Sequence, residues 1–359
     1  MPPSPTRPPT LRLAADAAAA LLWISLSAGV ILFNKHILAR AGFPFPITLT
    51  LWHQLFCAAL AAALVRGGAV PPCPTMDAAT YVRAVAPVGA LFAGTLWFGN
   101  AAYVTLSVSF IQMLKALMPA AVFGVGCALG TEAFAWGTAA NMAVVAGGVA
   151  LASAGEAALV PAGVAAQLAS IATESVRLTL VQVLLQGRGL KLTPVTSMYY
   201  VAPVSALCLL PPWLALEAAD LRAGLASGDV AISPALLVAN AAAAAALNLA
   251  VFLLVGRTSA LTMNVAGVVK DWVLIWLSAA LFGSPVTALN LAGYGVAFCG
   301  VVWYNWGKWT AALAPLPPPA DAKEGELVPL QAGGGGERKG GGAVARSPSR
   351  GEGMIKAGA

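Results

Sequence analysis

The sequence predicts an all-α membrane protein with ten transmembrane helices arranged as two inverted five-helix repeats. Of its 359 residues, 59% are hydrophobic and only 9% are charged, and the mean hydropathy is +0.81. Soluble domains carry about 25% charged residues, and a spanning helix needs about 20 predominantly apolar residues. We place ten such segments at residues 14–36, 46–66, 82–104, 107–129, 135–154, 160–186, 194–215, 233–256, 259–282 and 286–306.

The distribution of Lys and Arg between the short loops predicts the orientation of the chain. With ten segments, both termini lie on the same side of the membrane. Loops on that side contain Arg66, Arg83, Arg188, Lys191 and Arg257. Loops on the other side contain only two arginines, together with four acidic residues. Because basic loops stay in the cytosol, we expect both tails to be cytosolic.

The chain divides into a ten-helix domain at 14–308 and two tails, at 1–13 and 309–359. The C-terminal tail is rich in Pro and Gly and lacks the apolar residues of a packed core, so we expect it to be disordered. The N-terminal tail is too short for a convincing transit peptide. This favours a membrane of the secretory pathway over a plastid or a mitochondrion.

The predicted segments divide into two halves, about 14–155 and 156–308. Five segments in each half give the second half the opposite orientation to the first, as in transporters built from inverted repeats. When Gly130 is aligned with Gly283, Lys115 and Lys270 fall within two positions of each other. The alignment favours two structurally related halves.

Lys115 and Lys270 lie in the middle of long apolar segments and are the main candidates for a binding site. An ammonium group at the bilayer centre costs about 2.5–3.5 kcal/mol on insertion scales, and it persists where it faces a cavity, a partner or a ligand. Two such charges at matching positions favour a site for an anion that is carried across the membrane. The alternative is a purely structural ion pair, of Lys270 with Asp271 or of Lys115 with Glu174.

Three polar residues accompany the two lysines along their segments. Gln112 lies one turn before Lys115, and Asn264 and Asp271 lie close to Lys270 in sequence. The amides both donate and accept hydrogen bonds, which suits the hydroxyl groups of a sugar or a ribose. Asp271 would either neutralise Lys270 or accept hydrogen bonds from the ligand. We therefore include all three among the substrate-binding candidates.

Other helices contribute further candidates. Asn100 needs a partner in hydrocarbon, either another helix or the substrate. Tyr199 and Tyr200 would flank a base or a sugar, or belong to an interfacial aromatic belt. We expect Lys35 to extend toward the headgroups and His53 to be a packed hydrogen-bonding residue rather than a proton carrier.

The sequence favours neither an enzyme nor a metal site. Its five cysteines form no CxxC pair, and its two histidines, His36 and His53, lie on different segments. It has no paired acidic motif of the kind with which a membrane transferase holds a metal ion. We expect no catalytic residues, no metal, no cofactor and no nucleic-acid partner.

Four stretches of the sequence follow a recognisable family pattern. They are ILFNKHIL with FPFPITLTLWH, LSVSFIQMLKALMPAAVF, MYYVAP and GRTSALTMNVAGVVKDW. They resemble the triose-phosphate translocator/nucleotide-sugar transporter family of the drug/metabolite transporter superfamily, over residues 14–308. The resemblance implies a ten-helix inverted-repeat fold and antiport. It also implies that Lys115 and Lys270, on the fourth and ninth helices, bind the substrate phosphate.

The residue after Lys270 distinguishes subgroups of that family. Plastid phosphate translocators carry Lys-Arg at this place, whereas this sequence has Lys270 followed by Asp271. The exchange of an arginine for a carboxylate weakens the case for a small, doubly charged sugar phosphate. The Lys-Asp pair resembles the plant-type endomembrane members that carry UDP-arabinofuranose and other nucleotide sugars.

The sequence therefore predicts an antiporter of the Golgi membrane that imports a nucleotide sugar, expected to be a UDP-sugar, in exchange for a nucleoside monophosphate by alternating access. The alternative is a sugar-phosphate/phosphate antiporter, and the endoplasmic reticulum and the plastid envelope are alternative locations. A non-transporting scaffold that works through its C-terminal tail is a third hypothesis. The expected partners are these substrates and the lipid bilayer. The sequence leaves the sugar, the base and a homodimeric assembly open.

Overall fold

The computed structural model describes residues 9–71, 76–156, 159–185, 192–230, 232–257, 260–283 and 286–313, and every regular element within them is helical. The helices are α1 (Pro9–Ala39), α2 (Pro46–Arg66), α3 (Ala78–Thr80), α4 (Ala86–Thr105), α5 (Val108–Lys115), α6 (Met118–Ala128), α7 (Trp136–Ala154), α8 (Pro161–Leu180), α9 (Pro194–Leu216), α10 (Ala218–Ser227), α11 (Pro234–Arg257), α12 (Ala260–Phe282) and α13 (Ala288–Leu313). One π-helical stretch, Tyr81–Val85, joins α3 to α4, and another, Val181–Leu185, extends α8.

The structure is that of an all-α membrane protein. Each predicted segment contains helical residues within the described ranges, and α2 begins and ends where the sequence predicts it. The short helix α10 was not predicted. The predicted tails lie outside the described residues, except where α1 and α13 extend into them. Among the described residues, seven helical segments are long and apolar enough to cross a membrane: Ala15–Ala39, Pro46–Arg66, Ala78–Thr105, Val108–Ala128, Trp136–Ala154, Val195–Leu216 and Pro234–Val251.

Local sequence signals isolate α5 as a short helix that ends at Lys115. At its start, Ser107 Oγ accepts a hydrogen bond from Phe110 N at 3.1 Å, which caps the helix after the predicted break at Thr105. At its end, Pro119 has no N–H to donate to the carbonyl of Lys115. In agreement with this missing hydrogen bond, α5 stops at Lys115 and α6 starts three residues later.

Glycine residues allow α7 and α13 to pack with their backbones in contact. A Cβ atom on Gly148 would lie 2.5 Å from Ala297 N and 2.8 Å from Gly293 O. Near one end of this interface, Asn290 Nδ2 donates a hydrogen bond to Ala152 O at 2.6 Å. In lipid, close packing of small residues and interhelical hydrogen bonds replace the hydrophobic effect as the force that associates helices.

A buried carboxylate satisfies the N-terminus of α2. Phe45, the residue before this helix, offers no side-chain acceptor to the first N–H groups. Glu217, which is 7% exposed, accepts hydrogen bonds from Ile47 N at 2.8 Å, Thr48 N at 2.7 Å and Thr48 Oγ1 at 2.8 Å. Burial raises the pKa of Glu217, and the hydrogen bonds from Ile47 and Thr48 offset part of that rise. This carboxylate joins the end of α9 to α2.

Two cations cap helix C-termini at the same end of the bundle. Lys35 Nζ donates hydrogen bonds to Tyr103 O and Leu106 O, both at 2.8 Å. Arg40 Nη2 donates to Phe282 O at 2.6 Å, and its guanidinium carbon lies 4.9 Å from the ring centroid of that residue. The expectation that Lys35 extends to the headgroups is therefore wrong, because the unpaired carbonyls that end α4 attract it inward.

The contact between α7 and α13 generates a prediction with a matched control. We expect Gly148→Ala to destabilise the protein by about 1–3 kcal/mol, because the new methyl group would meet backbone atoms that cannot move aside. Gly147→Ala should be neutral or stabilising, since no atom lies within 4 Å of a Cβ at that position. Thermal unfolding in detergent measures both effects. Equal melting temperatures for the two variants would contradict the packing.

The cap at α2 generates a second prediction. We expect Glu217→Gln to lower the free energy of unfolding by about 1–3 kcal/mol, because the amide nitrogen would face backbone N–H donors. Asp220→Asn is the control, since this acid is exposed on the neighbouring α10. The measurement is the melting temperature in detergent. A Glu217→Gln variant with the melting temperature of the wild type would show that the carboxylate does not stabilise the N-terminus of α2.

Candidate functional site

A cavity of about 900 Å³ lies inside the bundle, between α1, α2, α4, α8, α9 and α11 and the junction of α5 with α6. Its volume is near the upper end of the range of about 300–1,000 Å³ for small-molecule sites. It has many polar side chains for a cavity in a membrane protein. These are Asn34, Thr50, His53, Gln54, Thr95, Asn100, Tyr103, Lys115, Gln167, Ser170, Glu174, Arg177, Ser197 and Asn248.

Lys115 places an unpaired ammonium group on the wall of this cavity. Its Nζ lies 6.0 Å from the ring centroid of Tyr103, over the face of the ring. Within the described residues, Lys115 has neither a hydrogen bond nor an ion pair. An ammonium group at membrane depth without a carboxylate partner strongly favours the binding of an anion.

The structural ion pair of Lys115 with Glu174, considered from the sequence, is wrong. Glu174 instead accepts two hydrogen bonds from Arg177, at 2.7 Å from Nε and 2.6 Å from Nη2. Phe92 covers the guanidinium group, with its ring centroid 5.1 Å from Arg177 Cζ. In this bidentate pair Arg177 neutralises the charge of Glu174, so Glu174 does not act as the counter-ion of Lys115. Both side chains line the cavity.

Lys270 and Asp271 form an ion pair beside the cavity rather than on its wall. Lys270 Nζ lies 3.2 Å from Asp271 Oδ1 and 5.6 Å from the ring centroid of Trp23 on α1. The helix that carries Lys270, α12, packs against α5, which ends at Lys115. The structure thus places the two predicted lysines on neighbouring helices, and Asp271 neutralises the charge of Lys270.

Asn100 lines the cavity within a buried network that joins four helices. Its Nδ2 donates to Thr50 Oγ1 at 2.9 Å, and its Oδ1 accepts from Asn34 Nδ2 at 3.2 Å. Asn240 Nδ2 donates to Asn34 Oδ1 at 2.9 Å, and its own Oδ1 contacts His53 Nε2. The network gives Asn100 and His53 hydrogen-bonding partners on α1, α2 and α11.

The other predicted substrate-binding residues lie away from the cavity wall, or their side chains lie outside the described part of the chain. Gln112 is 1% exposed, and neither of its amide atoms has a partner among the described residues. Tyr199 and Tyr200 pack edge to face, with ring centroids 4.9 Å apart, and Ser197 and its neighbours provide the α9 wall instead. Asn264 belongs to α12, and its side chain lies outside the described part of the chain.

Helix α8 supplies a polar face to the cavity that the sequence analysis did not assign to the site. The face consists of Gln167, Ser170, Glu174 and Arg177. Their spacing of three or four residues places them on one side of a helix, and this regularity was the available signal.

An all-helical membrane bundle that encloses a polar cavity with an unpaired cation has the architecture of a membrane transporter. The sequence matches the model of the Triose-phosphate Transporter family over residues 16–305. It is 48% identical over 295 residues to a probable sugar phosphate/phosphate translocator of Arabidopsis thaliana, covering 82% of this chain and 83% of the relative. A second Arabidopsis protein of the same description is 45% identical over 324 residues, covering 89% and 92%. The chain belongs to the Triose-phosphate Transporter family.

Proposed function

We propose that the protein is an antiporter that exchanges a phosphorylated sugar for inorganic phosphate by alternating access. The observation that carries this proposal is the unpaired ammonium group of Lys115 on the cavity wall. The relatives described as sugar phosphate/phosphate translocators support it as well. Their descriptions favour the sugar-phosphate alternative over the nucleotide sugar that the Lys-Asp pair predicts.

The pairing of helices supports ten spans in two inverted halves. The contact of α1 with α11 corresponds to that of α8 with α4, and the contact of α2 with α11 corresponds to that of α9 with α4. Helices at equivalent positions, α2 with α9 and α7 with α13, also meet each other. This pattern is the one expected from a two-fold axis in the membrane plane. Gly130 and Gly283, aligned from the sequence, both follow their helices with positive φ, at 71° and 63°.

The charge of the empty site explains why transport would be an exchange. A bound phosphate pairs with Lys115, so the loaded carrier changes conformation without an unpaired ammonium group. An empty carrier would have to move the same ammonium group through the closed state, where its desolvation costs several kcal/mol. Export of one anion and import of another therefore become coupled.

A second candidate is the exchange of a nucleotide sugar for a nucleoside monophosphate in the Golgi membrane, with both termini in the cytosol. Two observations favour it. The cavity of about 900 Å³ is large for a sugar phosphate, and Asp271 neutralises Lys270 at 3.2 Å. Both candidates use Lys115 in the same role, and they differ in what extends from the phosphate into the cavity.

Exchange in liposomes tests both candidates. The purified protein is reconstituted into vesicles loaded with inorganic phosphate, UMP or GMP, and a mixture of triose phosphates, hexose phosphates and nucleotide sugars is added outside. We expect sugar phosphate to enter only vesicles that contain phosphate, as measured by mass spectrometry. Entry of a nucleotide sugar into UMP- or GMP-loaded vesicles would establish the second candidate. Equally fast uptake into unloaded vesicles would contradict antiport.

Replacement of Lys115 tests the observation behind the proposal. We expect Lys115→Ala to reduce exchange about 10- to 100-fold, the effect of losing a charge-assisted hydrogen bond to phosphate. The melting temperature of the ligand-free protein should not fall, because Lys115 makes no hydrogen bond or ion pair among the described residues that the variant would lose. Arg66→Ala, at an exposed cation at the end of α2, is the control. Normal exchange by Lys115→Ala would exclude this lysine from the site.

Removal of the carboxylate beside Lys270 tests whether the negative charge of Asp271 limits the affinity for the substrate. We expect Asp271→Asn to lower the KM for dianionic sugar phosphates about three- to tenfold, because an unpaired Lys270 adds positive potential near Lys115. Asp220→Asn on α10 is the control. The measurement is the concentration dependence of exchange in liposomes. An unchanged or raised KM would show that Asp271 does not limit the affinity for small dianions.

A further inference from the structure

We propose that Gln167 hydrogen-bonds the hydroxyl-bearing part of the substrate and thereby determines specificity at the site around Lys115. The inference rests on the proposed function, because it assumes that the transported anion places its phosphate at Lys115. The substrate class that it names is a phosphate ester with a hydroxyl group on a carbon close to the phosphate.

Gln167 is buried on the cavity wall with an unused hydrogen-bonding capacity. Its side chain is 1% exposed, and neither Oε1 nor Nε2 has a partner among the described residues. The other polar residues of the α8 face are paired, since Ser170 Oγ donates to Thr95 O at 2.8 Å and Glu174 binds Arg177. A buried amide without partners destabilises a fold, so its presence at a cavity points to a ligand.

Contacts between α4 and α8 show how far along the axis of the bundle Gln167 lies. One turn after it, Ser170 Oγ reaches Thr95 O at 2.8 Å. One turn before it, a Cβ atom on Gly163 would lie 2.7 Å from Leu106 Cγ. The two helices run antiparallel, because residue numbers rise along α8 as they fall along α4. Gln167 therefore lies opposite the part of α4 between Thr95 and Leu106.

That part of α4 carries Tyr103, whose ring centroid lies 6.0 Å from Lys115 Nζ. Gln167 and Lys115 thus lie at similar depths in the bundle, and both residues line the same cavity. Arg177 follows Gln167 by ten residues, a separation of about 15 Å along the helix. A substrate with its phosphate at Lys115 would place the adjoining atoms near Gln167 and far from Arg177.

The chemistry of an amide defines the group that it recognises. Gln167 donates through Nε2 and accepts at Oε1, so a matching ligand must both accept and donate close together. A phosphate dianion in an ester only accepts, whereas a neighbouring hydroxyl group also donates. A phosphorylated sugar satisfies both ends of the amide. A phosphate ester of a simple alkyl chain satisfies only the Nε2 end.

Two esters of the same charge test the proposal in liposomes loaded with inorganic phosphate. Glycerol 3-phosphate has a hydroxyl group beside the phosphate-bearing carbon, and n-propyl phosphate has none. We expect glycerol 3-phosphate to inhibit phosphate exchange by the wild type at about tenfold lower concentration. Gln167→Met, which keeps the length of the side chain, should lose this preference for glycerol 3-phosphate over n-propyl phosphate.

The control is Ser175→Ala, a fully buried position on the same helix whose hydroxyl group donates to Ala172 O at 2.8 Å. It should keep the preference for glycerol 3-phosphate. A wild type without that preference, or a Gln167→Met variant that retains it, would overturn the role of Gln167.

Thermal unfolding of the ligand-free protein separates ligand recognition from structural support. We expect Gln167→Met to melt at the wild-type temperature or above it, because the variant removes an unpaired polar group. A melting temperature clearly below that of the wild type would identify Gln167 as a structural residue and overturn the inference. A wild type that exchanges no phosphate would overturn the proposed function instead, and the melting result would still decide whether Gln167 is structural.

Discussion

A polar group inside a helical bundle in lipid has no water to bind, and it must therefore find its partner within the protein. The described part of this chain meets that requirement over long distances. The Glu217 carboxylate binds the first N–H groups of α2, and Lys35 binds the last carbonyls of α4. Asn34 and Asn100 connect α1 and α4 through their amides. These contacts align helices that are far apart in sequence, and they determine where the cavity lies.

Against this background, Lys115 and Gln167 both line the cavity without partners among the described residues. The buried amide of Gln167 destabilises the empty bundle, because neither of its polar atoms is hydrogen-bonded there. An anion with a hydroxyl group beside it would satisfy both, and the substrate would then supply the stabilisation that the empty protein lacks. In this way a site that is unfavourable when empty would couple the conformational change to the presence of substrate.

The positions of the helices could be predicted because the membrane sets their length, and Lys115 could be predicted because a charge stands out in an apolar segment. The rotation of a helix about its axis was harder to predict. On α9 the aromatic pair Tyr199 and Tyr200 was predicted to bind the substrate, but Ser197 lines the cavity instead. The polar face of α8 was not predicted, because charged residues three positions apart, such as Glu174 and Arg177, are also typical of a local ion pair on a helix surface. Contacts between helices that are far apart in sequence decide whether a polar group has a hydrogen-bonding partner. These contacts cannot be predicted from a single sequence.

The proposed exchange requires one end of the bundle to open, and the contacts that Arg40 and Glu217 make at one end differ in kind from those of the α7–α13 interface. There, side-chain hydrogen bonds join Arg40 to Phe282 O and Glu217 to α2. The Arg40 contact is exposed and can exchange for water at little cost, whereas the Glu217 contact is buried. Between α7 and α13, Gly148 brings backbones so close that even one methyl group would not fit. This interface cannot separate without losing its packing, so under alternating access it would act as the pivot, and the exposed contact of Arg40 would be among those that open.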